Sequence, residues 1–386
     1  MASRAVLLVV LASSLLLCHE RIKGERTLST NEDIELMRQL KLMNKPAVQT
    51  IRTRYGDIYD CVDFYKQSAF DNILLKNHSY HFQMRPSSIP KKMIIEESSI
   101  KSVKIGLKRG CPIGTVPVKR TTKEDLLRVK LYRDSHGSKF SRFTREQPGL
   151  YHAIVRTNKP NQKYNGALSG INVYNPAVNR QQYSSGQMKV QNGHDQIQIG
   201  WTVNPAIYGD NRTRLFTFWQ AGQTSCFDTR CPGFIITNRK IPLGSVISPI
   251  SKPGEEVYLI FVRILRDRLS GNWWCFFGRD NIPIGYWPKS LFSGLAGPAS
   301  YIDWGGEAFS PPGTRGPEMG SRLYPNHPMA QYHAFSCDII ITNEHYEDID
   351  VVGIEEFTDL RERYGIKDVG FMNRKVRHVA FWGGTG

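Results

Sequence analysis

The sequence predicts a mainly β protein, an antiparallel β-sandwich preceded by a small disulfide-stapled segment, and three observations predict it. From residue 150 onward, apolar runs of strand length recur between Gly, Pro and Asn turns, with helical periodicity nearly absent. The best-defined run alternates strictly. Ile197, Ile199, Trp201 and Val203 interleave with Gln196, Gln198, Gly200 and Thr202, a period of two that sends apolar groups to one face and polar groups to the other. Six cysteines follow an apolar leader, an even number that favours disulfides in an exported chain.

Taken in order, residues 1–24 read as a signal peptide: AVLLVVLASSLLL follows Arg4 and gives way to the polar CHERIKGE. No later stretch approaches the roughly 20 apolar residues of a membrane span, so no membrane partner is expected. Thr30 to Asp33 can cap a short amphipathic helix carrying Ile34, Met37, Leu40 and Met43, which Pro46 ends. Residues 25–134 read as a small separate unit whose core needs a staple. Residues 135–149 form a linker, because RDSHGSKFSRFTREQ at 133–147 is polar, basic and without apolar periodicity.

The sandwich, 150–386, then runs through YHAIVRT, ALSGINVYNP, QQYSSGQMKVQ and the alternating stretch. FIITN, SVISPI, EVYLIFVRILRD, NWWCFFG, IGYWP and YIDWGGEAF follow. The tail from 343 is less regular, an acidic block followed by a basic one. Bridges Cys61 to Cys111 and Cys226 to Cys231 come first among the pairings; Cys275 and Cys337 are either a third pair or two buried thiols. Asn77 and Asn211 open glycosylation sequons. No CxxC pair or His spacing points to a metal, and no cofactor is implied. The formal charge of +16 is concentrated before residue 135, and the sandwich lacks a basic cluster interleaved with aromatics, which argues against nucleic acid.

Several motifs carry a family resemblance. HDQIQIGWTVNPAIYGDNRTRLFTFWQ from 194, IGYWPKSLF from 284, DWGGEA from 303 and Glu318-Met319-Gly320-Ser321 resemble the core of the neprosin family of plant secreted glutamic peptidases. YGDIYDCVDFYKQSAFDNILLKNHSYHFQMRPSS from 55 and RGCPIGTVPVKRTTKEDLLR from 109 resemble the activation-peptide region of its precursors, with its two cysteines. The resemblance implies a β-sandwich peptidase, inhibited by its own propeptide until cut within the linker, secreted to the cell wall or held in the vacuole. It implies cleavage near proline at acidic pH, without metal or cofactor, and a peptide or protein substrate that can be proline-rich.

Two family glutamates form the catalytic pair, and they map to Gln198 and Glu307. Glu307 lies in an intact WGGE motif; Gln198 replaces the first acid. A carboxylate can take a proton from water and return it to the departing amine, whereas an amide can only donate to the oxyanion. The expected division of labour is therefore Glu307 as base then acid and Gln198 as oxyanion stabiliser, both serving one water, the arrangement of a Gln and Glu dyad on the eqolisin pattern. Relatives carry a Trp in a QIWV strand where this chain has Lys189. Trp201, Tyr208, Trp219 and Trp304 are groove candidates, with core packing the commoner fate of such tryptophans. Asp303 shares the face of Glu307 by parity, about 13 Å away. The alternative is an inactive β-sandwich that binds peptide or cell-wall glycan through the same groove.

Overall fold

The protein is described by a computed structural model at residues 30–90, 100–136, 148–327 and 329–386. The expected signal peptide and nearly all of the expected linker lie outside the described residues. Residues 1–42 and 43–386 form two units, each taken by itself. In the first, the expected helix runs Thr30–Met43, with Glu32 and Asp33 in its first turn and Lys41 in its last, charges that suit the helix dipole.

The strands of the second unit are β1 Ala47–Arg52, β2 Ile58–Asp63, β3 Lys101–Ser102, β4 Thr115–Lys119, β5 Leu150–Thr157, β6 Gly166–Asn172 and β7 Tyr183–Asn192. Next come β8 Asp195–Val203, β9 Arg214–Ala221, β10 Thr224–Phe227, β11 Ile235–Ile236, β12 Tyr258–Arg266, β13 Trp273–Phe277 and β14 Ile282–Trp287. The last are β15 Tyr301–Phe309, β16 Glu318–Met319, β17 Ala334–Thr342, β18 Asp348–Asp350, β19 Ile354–Thr358, β20 Tyr364–Asn373 and β21 Arg377–Thr385.

They assemble into a mainly β fold. A seven-stranded antiparallel sheet has the order β10-β9-β8-β7-β15-β5-β19, and a larger sheet contains β11-β14-β13-β12-β6-β17-β21-β16. The two stack through an apolar core that takes in all seven tryptophans of the chain. Trp201 ties them directly, its indole N–H on β8 donating to the Asn172 carbonyl on β6 at 2.8 Å. Each such side chain, fully buried, contributes about 1.5–3 kcal/mol. The tail from 343, expected to be less regular, supplies β18 to β21. There Gly383 and Gly384 hold φ of 151° and 153°, and a Cβ on Gly384 would lie 1.9 Å from the Arg363 carbonyl, so the glycines allow β20 and β21 to approach.

The segment expected to stand apart does not. Its three-stranded sheet, β1-β2-β4, carries the bridge Cys61–Cys111, but the segment belongs to the same compact unit as the sandwich. Both ends of the Gln67 carboxamide bond the Ile236 backbone, at 2.8 and 3.3 Å, and Asn72 donates to Pro232 at 3.0 Å. Leu107 and Cys111 donate backbone N–H groups to Lys240 and Arg239, and β3 pairs with β12. A core this small gains more by borrowing the sandwich's backbone acceptors than by closing on itself. A helix at Lys123–His136, not anticipated, starts at a reciprocal cap in which Thr122 and Asp125 each accept from the other's backbone N–H.

Candidate functional site

Strand parity puts Gln198 and Glu307 on the same face of the seven-stranded sheet. Register then separates them. Lys189 on β7 lies opposite Gln198 on β8 and Asp303 on β15, whereas Ser185 lies opposite Thr202 and Glu307. Two rows thus cross the face, four residues apart. Gln198 and Glu307 stand on strands with β7 between them, which on a flat sheet is roughly 16 Å between Cα atoms. Among the described residues, Gln198's carboxamide has no hydrogen-bond partner and Glu307 makes no bond to it. The single water expected to join them is therefore not supported by the register.

Glu307 is held by another set. Gln187, on the intervening strand, donates from Nε2 to Glu307 Oε2 at 3.2 Å. The Tyr183 hydroxyl donates to Oε1 at 2.8 Å, and His152 Nε2 lies 3.4 Å from Oε2. His152 is opposite Glu307 on β5, and its Nδ1 is 2.7 Å from Asp359 Oδ2, an oxygen that also accepts the His152 backbone N–H at 2.7 Å. The amide beside the carboxylate is thus Gln187, not Gln198, because the pairing of β15 with β7 brings Gly305 opposite Gln187 and leaves Glu307 one diagonal step away. The chain from Asp359 through His152 to Glu307 also escaped the sequence reading.

The electrostatics follow from this geometry. Burial lowers the affinity of His152 for its proton, but the bonds to Asp359 and Glu307 outweigh it and set the imidazole's pKa at about 9. Burial pushes the Glu307 carboxyl up, yet the His152 hydrogen bond and charge, the Lys189 charge and the Tyr183 hydroxyl together hold it below its ordinary value. At neutral pH the pair is therefore carboxylate and imidazolium.

The second row has a different chemistry. Lys189 Nζ is 2.7 Å from Asp303, which is fully buried, and stands 5.3 Å from the Tyr301 ring centroid. Asp303 does share Glu307's face, as parity requires, but its partner is Lys189 of β7.

The groove candidates are corrected. Trp201, Trp219 and Trp304 alternate with the groove-facing residues and point the other way, into the core between the sheets, where they are at most 1% exposed. Tyr208 is also buried, in the short helix Pro205–Tyr208, its hydroxyl donating to Asp228 at 2.7 Å. The WGGE glycines serve packing. A Cβ on Gly306 would meet Met319 at 2.4 Å, and one on Gly305, at φ 143°, would meet the Ala153 carbonyl at 2.3 Å. Both first-choice bridges form, Cys61–Cys111 and Cys226–Cys231, and Cys275 and Cys337 are two buried thiols. Asn77 and Asn211 are exposed, open to a glycan.

Comparison with known proteins adds the following. The family model described as Neprosin matches residues 180–385, and the one described as Neprosin activation peptide matches 50–165. The second match runs past the expected boundary at 134 and takes in β5. Among solved structures, a scytalido-glutamic peptidase with a peptide-based transition-state analogue is 9% identical, covering 62% of this chain and 99% of its own, at a TM-score of 0.34. A native glycosidic hydrolase is 11% identical, covering 42% of this chain and 79% of its own, at a TM-score of 0.17.

Proposed function

Since the chain belongs to the neprosin family, we propose that it is a glutamic endopeptidase in which Glu307 is the base and then the acid. The observation that carries this reading is the constellation around Glu307, a carboxylate on the polar face of the sheet held by Gln187, Tyr183 and His152. Glu307 takes a proton from water as the oxygen attacks the scissile carbonyl, and a tetrahedral oxyanion forms. Gln187, whose amide nitrogen has a second hydrogen beyond the one given to Glu307, donates to that oxyanion. Glu307 then returns the proton to the amine as the C–N bond breaks, which restores the carboxylate. Gln198, with its amide uncommitted, meets the substrate farther along the groove.

A held-down Glu307 supports work at acidic pH, since the base form is then present where ordinary carboxyls are protonated. Cleavage near proline, export to the cell wall or vacuole, and inhibition by the activation segment are part of the same proposal. The two bridges, the apolar leader and the docked segment support it. The test is activation of the purified precursor in acid, then mass analysis of a digested proline-rich protein. Cleavage that disappears in Glu307→Gln is the expected result. Turnover retained in that variant removes Glu307 from the mechanism. No cleavage at any pH, with peptide or glycan still bound, favours the binding module that the replacement of the first family acid by Gln198 would allow.

A further inference from the structure

One buried contact between the activation segment and the sandwich is ionic, and it lies in the same row as Glu307. Asp57, in the turn before β2, places both carboxylate oxygens at 3.0 and 2.9 Å from one terminal nitrogen, Nη1, of Arg214. Arg214 is 1% exposed. Nη1 also donates to the Gly244 carbonyl at 2.7 Å, and Nε and Nη2 donate to Asp210 at 3.2 and 2.6 Å. Lys119, also of the activation segment, reaches Asp57 at 2.6 Å. The Tyr208 ring closes the site, with the Arg214 guanidinium 5.4 Å and that of Arg230 5.7 Å from its centroid.

The position matters because of register. Arg214 lies opposite Thr202, Thr202 opposite Ser185, and Ser185 opposite Glu307. Three strand spacings therefore separate Arg214 from Glu307, roughly 14 Å, on one face. A peptide laid across these strands advances about 3.3 Å per residue, so the Arg214 site falls about four residues from the bond at Glu307.

When the segment leaves, Asp57 and Lys119 leave with it as a neutral pair, and Arg214 keeps Asp210 as counter-ion. What it loses is the acceptor for one of the two Nη1 hydrogens, since the other stays on the Gly244 carbonyl. A buried guanidinium N–H without an acceptor is costly, and the group whose planar geometry and charge fit it best is another carboxylate. We propose that Arg214 is a carboxylate-binding subsite of the groove, filled by Asp57 in the full-length chain and, once the segment is removed, by an Asp or Glu side chain of the substrate about four residues from the cut. As a substrate subsite this rests on the peptidase reading; as a carboxylate site it does not.

Two measurements test it. In the full-length chain, Asp57→Ala empties the site. Acetate should raise the thermal midpoint of this variant above that in chloride at equal ionic strength, and the difference should vanish in Asp57→Ala with Arg214→Gln. Equal effects of acetate and chloride overturn the proposal, as does an acetate effect that survives in the double variant, which would make Lys119 the receptor. The second measurement needs no variant and holds even if Asp57→Ala fails to fold. The acid-activated chain is given matched peptides with Asp or Asn four residues to either side of the cut. A KM about tenfold lower for Asp on one side, with kcat unchanged, is expected, as a charge-assisted bond is roughly twice as strong as a neutral one. Equal KM values exclude the substrate role. If no peptide is cut at all, the peptidase reading fails, and the acetate result still decides what Arg214 binds.

Discussion

The two rows that cross the polar face of the seven-stranded sheet are built from the same strands yet do different things. In the Glu307 row, a carboxylate is surrounded by three donors from two strands: His152 of β5, itself held by Asp359, and Gln187 and Tyr183 of β7, which bond the carboxylate directly. In the Gln198 row, the charges close on each other in an ion pair between Lys189 and Asp303, and the glutamine has no hydrogen-bond partner among the described residues. Chemistry needs groups that are fixed before the substrate arrives. The difference teaches that a motif position is not yet a site: Gln198 occupies a position that the resemblance marks as catalytic, but the organised surroundings belong to Glu307.

The sharpest way to break this comparison is to truncate the two amides separately. Gln187→Ala should lower kcat of the activated protein by about 10²- to 10³-fold, the usual cost of one oxyanion donor. Gln198→Ala should act mainly on KM. Steady-state kinetics with one peptide measures both, and equal losses in kcat would return Gln198 to the pair.

The ion pair of the second row is the next target. Lys189→Met leaves Asp303 fully buried without its cation, which should cost about 3–5 kcal/mol in denaturant unfolding. Adding Asp303→Asn should recover much of that loss. A single variant as stable as the parent would mean that the pair is not what holds that row.

The first row carries a pH signature. His152 binds its proton more tightly folded, at about 9, than unfolded, near 6.5. Its contribution is therefore complete below pH 6.5 and is lost as pH rises through 9, on the order of 3 kcal/mol. Thermal midpoints between pH 6 and pH 10 should fall in the parent and fall less in His152→Gln. The smallest effect belongs to Gln198→Ala, which loses no hydrogen bond but empties the space of a buried side chain, and should cost about 1 kcal/mol by denaturant unfolding.

Much of this face was legible in the sequence. Alternation in 196–203 gives β8 and its two faces, and parity correctly sets Asp303 beside Glu307 on one side of β15. What alternation cannot supply is which residue of a distant strand lies opposite, since a slip of two keeps every face and changes every neighbour. His152 is one histidine in an ordinary strand, and Asp359 follows β19, 207 residues away along the chain. Nothing local announces their meeting with Glu307. Gln187 was visible beside Lys189, but only the register of β7 against β15 makes it the neighbour of a carboxylate. The strands of the tail were hidden by their charges, because β19 and β20 are only partly buried and carry no apolar stripe. By contrast the helix after Thr122 did leave a signal, the Thr122-Lys123-Glu124-Asp125 cap, which strand-rich surroundings obscured.

Strand β5 sits inside the seven-stranded sheet, between β15 and β19, and brings His152 to Glu307. This limits how far the proposed maturation could trim. A cut before Leu150 can free the preceding segment and leave the sheet whole. A cut a few residues later would remove an interior strand, expose the edges of both its neighbours and take the imidazole away from the carboxylate it steadies. A product of the proposed maturation would therefore keep as its first strand a stretch that the activation-peptide match, residues 50–165, also covers.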